Sequence, residues 1–117
     1  MIKGIGIDII ELDRIDVILS KTPRFCERIL NPEEIAVFDS LSTRRRKVEW
    51  FAGRFAAKEA FSKALGTGVG KEFSFQSISI INDITGKPVV HHKTGFTVHI
   101  SISHSTTQAI AQIILEE

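Results

Sequence analysis

Isoleucine recurs at every second position from Ile5 to Ile9, with Gly4, Gly6 and Asp8 in the alternate places. That period of two predicts a strand over residues 4–10, which β-branched side chains suit. The segment ELDRIDVILSK then changes to a helical period that turns Ile15, Ile18 and Leu19 inward. Two further helix starts follow, each a capping residue before proline: Thr22-Pro23 and Asn31-Pro32. A long helix is predicted from Ser42 or Thr43 to Leu65, with Gly66 as its stop. After the loop GTGVGKEF the texture changes to strands: FQSISIIN, a turn around Thr85–Pro88, FTVHISIS and QAIAQIILEE. The expected architecture is α+β, an antiparallel sheet with one long packed helix and short N-terminal helices, in a single domain over residues 1–117.

The long helix carries more than one apolar face. Val48, Phe51, Ala52, Phe55 and Glu59 fall on one stripe about 100° wide. Trp50, Phe61 and Leu65 form a second, with Ala57, Ala60 and Ala64 as a small-residue strip between them. The second stripe and the apolar C-terminal strands exceed what one small sheet covers, so a homotrimer is expected. Glu59 stands out because a carboxylate brought inside costs several kcal/mol, roughly, unless a cation or hydrogen-bond donors meet it. Two readings compete. Glu59 pairs with Lys63 at i, i+4 on the wet end of the stripe, or it serves a cation in a cleft. Asp8 favours the second, because it is another carboxylate inside an apolar strand, flanked by glycines that permit close backbone approach. Two interior carboxylates with oxygen ligands suit Mg²⁺, which takes one or two carboxylates together with water and substrate phosphates.

Charge and composition narrow the class. Hydrophobic residues make up 43% and charged residues 25%, ordinary for a globular domain, and the formal net charge is +1. No whole-molecule attraction to nucleic acid or to an anionic membrane is expected. The single cysteine, Cys26, has no internal disulfide partner and reads as structural, and the expected location is cytoplasmic. GTGVGK has neither the glycine spacing nor the Ser/Thr of a P-loop, and it follows a helix where a P-loop precedes one. Ser103 and His104 point to opposite faces of an extended segment and make no nucleophile–base pair. His91-His92 reads as a polar loop with no third ligand at suitable spacing. The RRRK run at residues 44–47 opposes the helix dipole, which makes an anionic partner worth considering.

Four motifs occur in order: GIGIDIIEL, WFAGRFAAKEAFSKALGTG, the Gly86-Lys87-Pro88 turn and SISHS at 101–105. Together they resemble the 4′-phosphopantetheinyl transferase superfamily over essentially the whole chain, in its small branch of holo-[acyl-carrier-protein] synthases. The resemblance implies that fold, and transfer of the phosphopantetheine arm of coenzyme A (CoA) to a serine of apo acyl carrier protein, with release of adenosine 3′,5′-bisphosphate. It implies Asp8 and Glu59 as Mg²⁺ ligands, Lys63 and the Gly66–Gly68 loop on the CoA pyrophosphate, and His104 at the adenosine 3′-phosphate, with Arg54 as a helper. Helix phase puts Arg54 on the far side from Glu59, which fits a CoA that spans two subunits of a trimer. Ile10 stands where the larger branch has a further acidic residue, so water completes the metal shell, and Glu59 and Asp8 both remain candidates for the general base. Carrier proteins are acidic, and Arg14, Lys21, Arg24 and Arg28, with Arg44, Arg45 and Arg46, form the expected docking face. A Mg²⁺-dependent nucleotide phosphohydrolase and a non-catalytic CoA-binding module are the alternatives.

Overall fold

A computed structural model of the chain describes residues 1–66 and 73–117. The elements run β1 (Ile2–Glu11), α1 (Leu12–Lys21), α2 (Phe25–Ile29), α3 (Pro32–Ser40), α4 (Arg44–Leu65), a 3₁₀ turn at Phe75–Ser77, β2 (Ser79–Asn82), β3 (Pro88–His91), β4 (Thr97–His104) and β5 (Gln108–Glu116). An antiparallel three-stranded sheet has the order β1-β5-β4, and β2 and β3 form a separate antiparallel hairpin. The α+β architecture with one long packed helix is as expected.

Local signals explain most boundaries. The Thr43 hydroxyl accepts the Arg46 N–H at the start of α4, and Gly66 ends the helix in the left-handed region at φ 81°. Asn31 and Glu34 cap α3 reciprocally. The start at Thr22-Pro23 does not form. Thr22 instead closes α1 by donating its N–H to Ile18 O (2.8 Å), and α2 begins after a turn, at Phe25. Thr22 sits at φ −131°, ψ 79°, and the first turn of α2 has no side-chain cap.

β1 packs its glycine face, not its isoleucine face, against α4. A Cβ built on Gly6 would lie 1.8 Å from the Ala60 carbonyl oxygen, and one on Gly4 2.0 Å from that of Ala64. The clash is with backbone and cannot be relieved by a rotamer. Gly6→Ala should therefore push β1 away from α4 and cost about 1–3 kcal/mol, read as a lower urea midpoint with an unchanged m-value. A wild-type midpoint would show that the strand does not need this approach.

The opposite face of β1 is open. Ile5, Ile7 and Ile9 are all more than half exposed (58%, 52% and 56%), and the register sets Ile114 beside Ile5 and Ile110 beside Ile9. This relocates the surplus apolar surface. Trp50 and Phe61 are buried within the chain, Trp50 under the Arg54 guanidinium (4.4 Å) and Phe61 stacked on Phe73 (5.4 Å), while Leu65 is half-buried. Residues 73–80 fold back over that side of α4, a tertiary event that helical phase does not report.

The fold also buries two charges that are not among the expected site residues. Lys58 and Glu34 are fully buried and paired at 2.5 Å. Lys58 also donates to Ile29 O (2.9 Å) and Phe75 O (2.8 Å), and Glu34 accepts the N–H groups of Asn31 and Ile80. Burial pulls the Lys58 ammonium below the ordinary lysine range, and Glu34 opposes that pull. Among the described residues no helix is long and apolar enough to cross a membrane.

Candidate active site

The close approach of β1 to α4 sets the first half of the site. Asp8 follows Gly4 and Gly6 on the inward face, and α4 presents Glu59 and, one turn later, Lys63. The Lys63 ammonium donates to Asp8 Oδ1 (3.0 Å) and to Ile7 O (2.9 Å), so the lysine ties helix to strand and its ion partner is Asp8, not Glu59. Burial first, and then the charge of Asp8, push the Glu59 carboxyl above the usual range, with Lys63 opposing. A cleft of about 490 Å³ opens here, with Asp8, Glu59 and Arg14 as its polar lining and Ile18, Phe25 and Phe55 among its apolar lining.

The donor chemistry fits a hard divalent cation. Asp8 and Glu59 bring oxygen atoms only, and a cation between them would offset the repulsion between the two carboxylates. Among the described residues no cluster of three or more His, Cys, Asp and Glu side chains forms, which leaves water or substrate oxygens to complete any shell. His91 ends β3, and His92 holds Thr94 through its Nδ1 (2.7 Å to Oγ1).

A second cleft, of about 190 Å³, holds Arg54 and His104 together with Glu49, Gly86 and Pro88. Arg54 is buried; its Nε donates to Ile80 O (3.1 Å) and its terminal nitrogen to Asn82 Oδ1 (2.8 Å). Desolvation pulls its pKa down to about 10, so the guanidinium stays charged at neutral pH. The two clefts share no lining residue, because α4 turns Arg54 toward β2 and Glu59 toward β1. The structure thus brings Asp8, Glu59 and Lys63 together, and separately brings Arg54 and His104 together.

The remaining assignments divide by exposure. Gly66 is exposed at the end of α4, and Gly68 lies outside the described residues. Arg14, Lys21, Arg24 and Arg28 are exposed along the α1–α2 stretch that carries Phe25. Arg44, Arg45 and Lys47 are engaged within the chain, and Arg46 lines the second cleft. Arg44 binds Asp16 (2.8 Å) and Ser20 (2.9 Å), Lys47 donates to Phe38 O (2.9 Å), and Arg45 reaches Glu49 (3.2 Å) and Thr106 O (3.1 Å). Glu49 has no signal along the chain beyond its i, i+4 spacing to Arg45, and nothing local places it beside His104.

The result is an α+β domain with an oxygen-only carboxylate pair, an adjacent lysine and a separate cationic cleft, chemistry that can meet a phosphorylated ligand. The family model of the 4′-phosphopantetheinyl transferase superfamily matches residues 4–114, and the chain belongs to that superfamily. It is 52% identical to the holo-[acyl-carrier-protein] synthase of Staphylococcus aureus (strain JH9) over all of this chain and 98% of that one. Among solved structures it is similar to the holo-(acyl-carrier-protein) synthase from Bacillus anthracis str. Ames in complex with CoA (3′,5′-ADP). There the TM-score is 0.93 at 55% identity, covering 100% of this chain and 98% of that chain. It is also similar to the Helicobacter pylori holo-[acyl-carrier-protein] synthase in complex with coenzyme A, with a TM-score of 0.84 at 35% identity over 96% of this chain and 99% of that one.

Proposed function

We propose that this protein is a Mg²⁺-dependent holo-[acyl-carrier-protein] synthase, which moves the 4′-phosphopantetheine arm of CoA to a serine hydroxyl of apo acyl carrier protein and releases adenosine 3′,5′-bisphosphate. The observation that carries this reading is the pairing of Asp8 and Glu59 in one cleft, with Lys63 bound to Asp8, in a chain that matches such synthases from end to end. In the reaction the serine oxygen bonds to the β-phosphorus as the bond to the bridging pyrophosphate oxygen breaks. Asp8 and Glu59 are the residues that hold Mg²⁺, whose chemistry when bound is to neutralise pyrophosphate charge. The Lys63 ammonium, already oriented by Asp8 and Ile7, offers a donor to the same oxygens. Glu59 and Asp8 are the two carboxylates within reach of the site, and one of them takes the serine proton.

Arg54 and His104 in the second cleft take the adenosine 3′-phosphate, and Gly66, at the end of α4, lies along the pyrophosphate. Since the two clefts face opposite sides of α4, one CoA draws the carboxylates from one copy and Arg54 and His104 from another. The open isoleucine face of the three-stranded sheet supplies the apolar surface for such an assembly, a homotrimer. Ile7→Glu should then give a monomer at micromolar concentration by sedimentation, with transfer activity lost in parallel. A fully active monomer would remove the shared-site reading. The exposed Arg14, Lys21, Arg24 and Arg28, beside the apolar wall of Ile18 and Phe25, suit an acidic carrier-protein helix. We place the enzyme in the cytoplasm, where its one free cysteine stays reduced.

Incubation with apo acyl carrier protein, CoA and Mg²⁺ should raise the carrier's intact mass by one phosphopantetheine group. Phosphate release from nucleotides without a carrier would support a phosphohydrolase instead, and CoA binding with no mass change would support a binding module.

A further inference from the structure

A carboxylate in an anion-binding cleft needs a reason. The Glu49 side chain is only 12% exposed and lines the cleft with Arg54 and His104. Its Oε2 accepts from Arg45 Nε (3.2 Å) and faces His104 Nδ1 at 3.7 Å. The second distance is too long for a hydrogen bond but close enough for the charge to orient the ring. Close packing of helix on strand produces this arrangement. A Cβ on Gly53 would touch Ile102 Cγ2 at 3.0 Å, so α4 and β4 approach closely there. Glu49 lies one turn before Gly53 on the same helix face, and His104 lies two residues after Ile102 on the same strand face. Arg45 also donates to Thr106 O, just beyond the end of β4, so Glu49 and Arg45 together fasten the segment that carries the histidine.

We propose that Glu49 is a positioning residue, which holds His104 by its Nδ1 side so that Nε2 points at the phosphate monoester of the ligand. The carboxylate itself does not touch that phosphate. This rests on the reading of the second cleft as the adenosine 3′-phosphate site. A negative charge there is tolerated because Arg45 pairs with it and Arg46, Arg54 and His104 also line the cleft.

The test compares CoA with 3′-dephospho-CoA as substrates, using the full-length protein and apo acyl carrier protein. Glu49→Ala should raise KM for CoA about five- to tenfold with little change in kcat. KM for 3′-dephospho-CoA should stay at its wild-type value. Glu49→Gln keeps the acceptor for Arg45 but not the charge that faces the ring, so it should recover only a small part of the loss. In a His104→Ala background, Glu49→Ala should add less than about a twofold further effect. Equal losses for the two substrates, or full additivity with His104→Ala, would overturn the positioning role, and melting temperatures separate either from simple unfolding. A His104→Ala variant that treats both substrates alike would overturn the reading of the cleft, and the inference with it.

Discussion

Lys58→Ala should be the most damaging single substitution in the fold, lowering unfolding stability by about 3–5 kcal/mol. The change leaves the Glu34 carboxylate fully buried without its cation, and it unties the carbonyls of Ile29 and Phe75 at the same time. Those carbonyls anchor α2 and the segment that returns over α4, so the loss is shared by three elements. Domains of this size have about 5–15 kcal/mol in total, so the variant should sit close to unfolding at 37 °C. Urea titration measures the effect. Replacing Glu34 as well, by leucine, should recover only part of the loss, because the Asn31 and Ile80 N–H groups would still lack their acceptor. A cost below about 1 kcal/mol for Lys58→Ala would mean that the pair contributes little beyond filling space.

The second large effect is on chemistry. Asp8→Ala and Glu59→Ala should each lower transfer roughly 100-fold or more while the protein stays folded, since both side chains line a cleft and neither fills the core. Stability supplies a readout that does not depend on turnover. Mg²⁺ should raise the melting temperature of the wild type, because a ligand that binds only the folded state stabilises it, and it should leave Glu59→Gln unmoved. Without metal the sign reverses. Glu59 has a folded pKa above its unfolded value, so it favours folding only at low pH, and that contribution is lost as pH rises through the folded value. Metal-free Glu59→Gln should therefore melt above the wild type at neutral pH, with the gap closing on acidification. Equal Mg²⁺ shifts in both proteins would remove Glu59 from the metal site.

Much of this is written along the chain, because the forces involved are local. The strand at Ile5–Ile9, the Asn31 and Thr43 caps and the Gly66 stop depend on dihedral preference and on hydrogen bonds within a few residues. The pairing of Asp8 with a long-helix carboxylate is also legible, since a charge at an inward position of an alternating strand must be met by a group on the element packed against it. The glycines at positions 4 and 6 point to the close packing that places it.

Long-range closure decides the rest. Helical phase marks which residues of α4 turn together, but not what covers them. The fate of Trp50 and Phe61 therefore waits on residues 73–80 returning across the helix. The same return buries Lys58 against Glu34, a partner 24 residues away on another helix. The partner of Lys63 lies on a strand 55 residues away, which reaches the ammonium and takes Lys63 from its helical neighbour Glu59. Glu49 and His104 meet only because Gly53 lets β4 lie close on α4. Sequence periodicity encodes the face each side chain turns to; only the packed chain selects which of the groups on that face come within reach of one another.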